Sequence, residues 1–257
     1  MNFPVVFHIG PASISAHALL ETLAFFIAFR YFLFLRKKRG DRIAEPNRIW
    51  IIIGATAGAL FGSRMLGALE SPSSLMKTEH LILYIYSTKT IVGGLLGGLL
   101  GVELVKKAIG EKSSSGDLFV YPLLLGMLIG RIGCFLNGTA ESVVGLPTAS
   151  VLGMNLGDGI LRHPVALYEI AFLLLLWVLI KQFSKQAAWQ QGLLFRIFMI
   201  SYLIFRFGLE FLKPREPIAL PLSAIQWACV AGCVYYAGTI RDLLTAKHKL
   251  MMNGAAA

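Results

Sequence analysis

Charged residues are scarce in this chain, and hydrophobic residues are abundant. Asp, Glu, Lys and Arg make up 15% of the 257 residues, while 56% are hydrophobic. A soluble domain carries about 25% charged residues. Several apolar runs here approach the roughly 20 residues that a helix needs to cross a bilayer. The composition therefore excludes an ordinary soluble domain and predicts an all-α membrane protein.

Acidic residues are few relative to basic ones, 14 against 24, which gives a formal net charge of +10. Such an excess would suit nucleic acid if the basic residues covered one surface. They cluster instead beside apolar runs, as in RKKRGDR (36–42) and VKK (105–107). This distribution is typical of cytoplasmic loops next to anionic lipid. The sequence favours membrane lipid as a partner and no nucleic acid.

Cysteine is also rare, and the three present lie in apolar segments: Cys134, Cys229 and Cys233. No CxxC or Cys/His ligand pattern occurs, so we expect neither a disulfide framework nor a metal site. The N-terminus lacks the basic start and the small-residue cleavage site of a secretory signal. We therefore expect the mature protein to begin at Met1.

The apolar runs predict a single integral-membrane domain over residues 1–257, built as a seven-helix bundle. The predicted spans are 13–35, 48–70, 82–105, 118–137, 165–183, 191–212 and 220–241. The third span is the least regular, because YSTKTIVGG (86–94) places Lys89 and several hydroxyls before its strongest apolar part. A broken or re-entrant element is expected there, which requires protein or water around it.

Lysine and arginine are unevenly distributed among the connections between spans. The first, third and fifth loops and the C-terminal tail together carry fourteen, while the N-terminus and the other loops carry four. The positive-inside rule then puts the N-terminus outside and the C-terminus in the cytoplasm. The long loop 138–164, between spans four and five, faces outward and is predicted to be functional.

Glycine follows a four-residue spacing in two segments, GATAGALFG (54–62) and GGLLGGLLG (93–101). Rows of small residues let helix backbones approach closely in lipid. The pattern favours helix packing. The alternative is that the smooth glycine face leaves room for a lipid tail.

Ionisable side chains inside the apolar spans are the strongest functional signal, since each charge at bilayer depth costs about 3 kcal/mol. Arg131 interrupts GMLIGRIGCFLNG (126–138), and Arg206 and Glu210 lie four residues apart on one helix face. That last pair could be a simple ion pair. If the arginines converge, however, their guanidinium groups form a site suited to a lipid phosphate. The predicted cluster comprises Arg64, Arg131, Arg162 and Arg206, with Glu141, Glu169 and Glu210 to balance it.

Two histidines are candidates for handling a proton near neutral pH. His163 precedes Pro164 at the start of the fifth span, and His17 lies in the outer turns of the first. Each could equally be an ordinary residue at a helix end. Cys134 is interpreted as a packing residue rather than a nucleophile, because apolar surroundings raise the pKa of a thiol.

The motifs SRMLG, GRIGCFLNG, RHPVALYE and RFGLEFLKPRE and the glycine run resemble, in order and spacing, the bacterial prolipoprotein diacylglyceryl transferases. The resemblance covers about Ile9 to Leu244. It implies a transferase that moves the diacylglyceryl group of phosphatidylglycerol to the lipobox cysteine thiol of a prolipoprotein and releases glycerol-1-phosphate. It also implies a multi-pass protein of the bacterial inner membrane, with its site toward the outer, periplasmic side and no cofactor or metal.

The same resemblance implies roles for residues that match the family's motifs. Arg131 and Arg206 would hold the phosphate, and Glu210 would orient Arg206 or bind head-group hydroxyls. The implied catalytic residues are Arg131, Arg206, Glu210, His163 and His17. The implied contacts to phosphatidylglycerol are Arg131, Asn137, Gly138, Arg64, Arg162, Tyr168 and Glu169.

Several positions near the implied site differ from the family's usual residues. The departures are Val92 for histidine, His17 for tyrosine, Cys134 for asparagine, Thr139 for glutamate and Ala166 for glutamine. One explanation is that the base has moved to His17 or His163. The other is that the protein uses phosphatidylglycerol differently, as a transferase with another acceptor or as a non-catalytic lipid-binding or flipping protein. A transporter is not favoured, because neither an inverted repeat nor a pair of broken helices is visible.

Overall fold

The computed structural model describes residues 3–10, 12–140, 144–184 and 191–241, and these residues are mostly helical. Two antiparallel strands precede the first helix, and a second antiparallel pair lies between the sixth and seventh helices. The helices are α1 (Ala16–Arg39), α2 (Glu45–Ala68), α3 (Pro72–Lys77), α4 (Leu81–Ser87), α5 (Ile91–Ile109), α6 (Val120–Asn137), α7 (Val165–Phe183), α8 (Leu193–Leu209) and α9 (Ala224–Tyr235). The strands are β1 (Val6–Ile9), β2 (Ala12–Ser15), β3 (Met154–Asn155) and β4 (Leu161–Arg162).

The apolar helices fit a helical membrane protein. Four helical segments in the described part of the chain are long and apolar enough to span a bilayer, and a fifth qualifies if α4 and α5 count together. Those two helices are bent by 96° at the break between them, so the irregular third segment is indeed broken. Helix α8 has 17 residues and α9 has 12, both shorter than the predicted spans.

Local sequence explains where several helices begin. The Ser15 side chain accepts a hydrogen bond from the backbone of His17 at the start of α1, and Thr90 does the same for Gly93 at the start of α5. Ser223 and Gln226 form a capping box at the start of α9. Each cap satisfies a backbone N–H that has no partner within its helix.

The two glycine rows pack against each other where α2 meets α5. A Cβ built on Gly58 would lie 2.3 Å from the carbonyl oxygen of Gly97, and one on Gly62 would lie 2.4 Å from that of Gly93. Neither distance is possible for a real side chain, so the close approach requires glycine. The geometry favours helix packing over room for a lipid tail. We call this contact the glycine seam.

At the end of the bundle where α1 ends and α2 begins, a buried arginine ties these helices to the start of α6. Arg48 is 1% exposed; its Nε and Nη2 donate to Asp41 at 2.7 and 2.5 Å, and its Nη1 donates to the carbonyl of Ser115 at 3.2 Å. Burial opposes ionisation of Asp41, but hydrogen bonds from Arg48 and the backbone of Ile43, with the charges of Arg48 and Arg36, outweigh it and lower its pKa.

This lowered pKa predicts how stability depends on pH. Because the folded-state pKa of Asp41 lies below the unfolded value, its carboxylate stabilises the fold above about pH 4, and this contribution is lost as the pH falls through the folded-state pKa. Thermal unfolding in detergent between pH 3 and 7 should show Asp41→Asn well below wild type at neutral pH, with the gap shrinking in acid. Glu79→Gln, at an exposed carboxylate, serves as the control. A gap that stays constant with pH would contradict the assignment.

Candidate active site

Four of the predicted site residues, Arg131, Glu169, Arg206 and Glu210, lie at one end of the bundle, which is opposite the Arg48 pair. The backbone N–H of Val5 donates to the carbonyl of Leu136, which brings the N-terminal segment to the end of α6. The N–H of Leu146 donates to the carbonyl of Leu212, which ties the long loop to the end of α8. At the same end α2 stops, and α5, α7 and α9 begin. We call this the site end.

Arg131 lies in the last turns of α6 and pairs with a carboxylate on α7. Its Nε is 2.9 Å from Oε1 of Glu169, whose side chain is 2% exposed. Tyr202 of α8 donates its hydroxyl to the same Glu169 oxygen at 2.8 Å. Nη1 of Arg131 lies 3.5 Å from the Cys134 sulfur. One buried carboxylate therefore connects α6, α7 and α8.

Arg206 and Glu210 form the ion pair that their four-residue spacing allows. Nη1 of Arg206 is 3.1 Å from Oε2 of Glu210, and both side chains are buried. Arg206 also interacts electrostatically with Glu169 and Arg131. The two arginines predicted to hold a phosphate thus share one electrostatic environment.

A third ion pair, between a buried lysine and a partly exposed glutamate, lies at the same end. Lys213, just after α8, is 8% exposed, and its Nζ is 3.8 Å from Oε1 of Glu70, just after α2. Glu70 also interacts electrostatically with Glu210, Arg206 and Arg131. Lys213 is thus buried within the site, although it lies just beyond the end of an apolar helix.

Together the three pairs form a charge cluster of three cations and three carboxylates, with a formal charge of zero. A buried charge without a partner is strongly destabilising, so one-to-one pairing is what permits this density of charge. The members of the cluster are Arg131, Arg206, Lys213, Glu70, Glu169 and Glu210. An anion that enters would compete with carboxylates for cations already in place.

Comparison with known proteins decides the family. The family model of the prolipoprotein diacylglyceryl transferases matches residues 4–240. The chain belongs to this family. It is 31% identical over 251 residues to the phosphatidylglycerol–prolipoprotein diacylglyceryl transferase of Cupriavidus metallidurans, covering 87% of both chains. Enzymes of the same name from Bordetella bronchiseptica (30% over 269 residues, 93% and 95% covered) and Dehalococcoides mccartyi (27% over 237 residues, 87% and 86%) are also similar.

Membership of the prolipoprotein diacylglyceryl transferase family and the apolar helices together indicate a protein of the bacterial inner membrane. Within this fold, the remaining predicted residues occupy three other places. Arg64 lies at the bend, where its Nη1 donates to the carbonyls of Tyr86 and Thr88, the latter at 3.1 Å. Its guanidinium also lies 4.8 Å from the Tyr86 ring centroid. In the structure Arg64 therefore stabilises the junction of α4 and α5.

The long loop holds a second group of predicted residues. Arg162 donates through Nε to Asp158 at 2.7 Å and through Nη1 to the Gly145 carbonyl at 3.4 Å. Nδ1 of His163 is 3.2 Å from the Tyr168 hydroxyl. These contacts hold the β3–β4 hairpin against the start of α7. Glu141, the other acid predicted to balance the arginines, lies outside the described residues.

The third group lies near the chain's first turns and the end of α6. Nε2 of His17 is 3.6 Å from Oε2 of Glu21, and Lys89 pairs with the same carboxylate. Asn137 is the last residue of α6, and Gly138 follows with φ +57°, where an added Cβ would lie 2.3 Å from the Leu156 carbonyl oxygen. Glycine is therefore required at position 138.

Sequence reasoning missed three members of this site, Tyr202, Lys213 and Glu70. A signal existed for Tyr202, because Tyr202, Arg206 and Glu210 recur at four-residue intervals and so share one helix face. Lys213 and Glu70 gave no such signal. Each lies just beyond a helix end, and their contact joins segments 143 residues apart. Val92, at the position where the family often has histidine, is buried in the apolar core.

Proposed function

We propose that this chain transfers the diacylglyceryl group of phosphatidylglycerol to the cysteine thiol of a prolipoprotein lipobox and releases glycerol-1-phosphate. The observation that carries the proposal is that two arginines, the partly buried Arg131 and the buried Arg206, interact with a common buried carboxylate on Glu169. Guanidinium groups suit phosphate oxygens because they offer two parallel hydrogen bonds. Family membership supports both the donor lipid and the acceptor.

Seven membrane spans are proposed for this chain, with the N-terminus outside and the site toward the periplasm. The spans correspond to α1, α2, the bent pair α4–α5, α6, α7, α8 and α9. Support comes from the distribution of Lys and Arg between alternate loops. The Arg48 pair then lies on the cytoplasmic side, and the charge cluster lies in the outer half of the membrane.

The proposed reaction forms a sulfur–carbon bond and breaks the carbon–oxygen bond between the diacylglyceryl group and the phosphate. Arg131 and Arg206 bind the phosphate and stabilise the charge that grows on the leaving oxygen. Glu210 holds Arg206 in position. Glu169 positions Arg131 and also contributes to the lipid-binding site, with Asn137 and Gly138 at its floor and Arg64, Arg162 and Tyr168 around its rim.

The thiol must also lose its proton during the transfer. His17 and His163 are the residues that the sequence proposes for this task. In the structure His17 lies beside Glu21, and His163 is hydrogen-bonded to Tyr168. Each histidine therefore has a partner able to fix its ring orientation, as a general base requires.

A purified-component assay tests the proposed function. The protein in detergent, given phosphatidylglycerol and a lipobox peptide, should convert the peptide to a thioether carrying one diacylglyceryl group and release an equal amount of glycerol-1-phosphate. Mass spectrometry measures both products, and a peptide with serine in place of the cysteine is the control. Lipid that stays bound and intact would instead identify a lipid-binding protein. Transfer to another acceptor would identify a related transferase.

A further inference from the structure

The three pairs of the charge cluster are not equally tight. The separation between cation and carboxylate is 2.9 Å for Arg131 and Glu169, 3.1 Å for Arg206 and Glu210, but 3.8 Å for Lys213 and Glu70. The last exceeds the length of a charge-assisted hydrogen bond. The loosest pair is therefore the one that sequence analysis did not assign to the site.

Glu70 also differs from the other two carboxylates in its surroundings. The side chains of Glu169 and Glu210 are 2% and 0% exposed, whereas that of Glu70 is 16% exposed. Its Oε1 is buried and has no hydrogen-bond partner among the described residues, which is also true of both Glu210 oxygens. Of the three carboxylates, Glu70 is therefore the one that combines an oxygen without a hydrogen-bond partner and a partly exposed side chain.

The charges of the proposed reaction call for such a group. The cluster is formally neutral, and the phosphate diester of the lipid adds one negative charge. When the carbon–oxygen bond breaks, the phosphate becomes a monoester with two negative charges, and the thiol proton must be taken up. A carboxylate of the cluster that accepts this proton keeps the total charge of the buried region constant.

We propose that Glu70 accepts the proton of the attacking thiol and that Lys213 then pairs with the phosphate. The sulfur lone pair forms the bond to the glyceryl carbon, the carbon–oxygen electrons leave with the phosphate, and the proton passes to Glu70. Once neutral, Glu70 no longer holds Lys213, whose ammonium becomes available to the second charge of the leaving group. This inference rests on the proposed function and adds two residues to its mechanism.

The groups around Glu70 fit this sequence of events. Its carboxylate is 3.8 Å from Lys213 and interacts electrostatically with Arg206, Glu210 and Arg131. On the side of α4 the hydroxyl of Tyr84 interacts with Glu70 and Glu216. The nearby cations favour the ionised form of Glu70, whereas burial and the charge of Glu210 oppose it. Phosphate charge near the same cations then weakens that stabilisation, so proton uptake by Glu70 accompanies substrate binding and bond breaking.

The test uses two lipobox peptides, one with cysteine and one with selenocysteine, whose selenol is already ionised at neutral pH and needs no base. With the cysteine peptide, Glu70→Gln should lose about 10²–10⁴-fold in rate, the usual contribution of a general base. Its remaining rate should rise about tenfold per pH unit until the thiol ionises near pH 8.5. With the selenocysteine peptide, Glu70→Gln should recover to within a few-fold of wild type.

Equal losses with both peptides would overturn the assignment, because a merely structural defect does not depend on the acceptor's ionisation. Glu103→Gln, at the other end of the bundle, is the matched control and should leave both rates unchanged. If the glutamine variant does not fold, Glu70→Asp is compared with the same two peptides, and equal losses again refute the proposal. The selenocysteine peptide could instead restore the rate of His17→Ala or His163→Ala but not that of Glu70→Gln. That result would identify the histidine, and not Glu70, as the base.

Wild-type protein in the same assay separates this inference from the proposed function. If wild type forms no thioether with either peptide, the proposed function fails. If wild type is active and Glu70→Gln behaves as wild type with cysteine, only the role of Glu70 fails. For Lys213, Lys213→Met should slow both peptides alike, because stabilising the leaving phosphate is needed whichever nucleophile attacks. Rescue of Lys213→Met by selenocysteine would contradict its proposed role.

Discussion

Lysine in place of Arg131 should lower the rate of diacylglyceryl transfer by about 10²–10³-fold, the range seen when one donor to a developing negative charge is removed. The guanidinium of Arg131 uses Nε for Glu169, and its Nη1 makes only a long contact of 3.5 Å with the Cys134 sulfur, which a phosphate oxygen can replace. A lysine has one nitrogen and cannot keep Glu169 paired while it also makes a two-point contact with phosphate. The thioether assay measures the loss directly.

Lysine is chosen at position 131 because it keeps the charge opposite Glu169. Alanine would leave that carboxylate buried without its cation, at a cost of about 3–5 kcal/mol, and a loss of activity could then reflect unfolding. Arg42→Lys, at an exposed arginine near the other end of the bundle, is the matched control. A lysine variant at position 131 that turns over like wild type would refute the phosphate-binding role.

Alanine in place of Gly97 should destabilise the protein by about 3 kcal/mol, at the upper end of the usual cost of overpacking. Its Cβ would lie 2.3 Å from the carbonyl oxygen of Gly58 and 2.9 Å from the Cα of Gly62. Both obstacles are backbone atoms, so no side chain can rotate away and the two helices must separate. Thermal unfolding in detergent should show a clearly lower Tm.

Gly94→Ala is the control for this substitution, on the same helix and with the same added methyl group. The nearest atom to its new Cβ would be the Cβ of Ser63 at 3.8 Å, an ordinary contact distance. We expect this variant to unfold at or slightly above the wild-type temperature, because alanine is the better helix former. Equal effects at positions 94 and 97 would show that the glycine seam does not depend on close backbone approach.

The helical part of the fold could be predicted because each apolar run is by itself about as long as a helix that crosses a bilayer. The break before α5 was visible for the same reason, since Lys89 and its neighbouring hydroxyls interrupt the run. The strands were not predictable. The β1–β2 pair precedes α1, where the sequence predicted that the first span had already begun at residue 13, and β3 and β4 have two residues each. The position of such a short strand is determined by its tertiary contacts and not by its own sequence.

The site was predictable only where its parts lie on one helix. The spacing of Arg206 and Glu210 fixes their common face, and the structure shows their ion pair. The contact between Arg131 and Glu169 joins two helices and depends on how those helices are rotated. A sequence without a known fold does not specify that rotation. The same holds for Arg64, whose contacts with the backbone carbonyls of Tyr86 and Thr88 depend on how α2 is rotated against the bend.

The glycine seam also has a mechanical consequence. Where two helix backbones are in direct contact, a change of side-chain rotamer cannot loosen the contact. We therefore expect α2 and α5 to move together as one rigid pair. In the proposed reaction, however, two hydrophobic substrates, the phospholipid and the prolipoprotein, must enter and leave between helices. We infer that the helices away from the glycine seam separate to admit the substrates. Amide hydrogen exchange should then be slowest along α2 and α5.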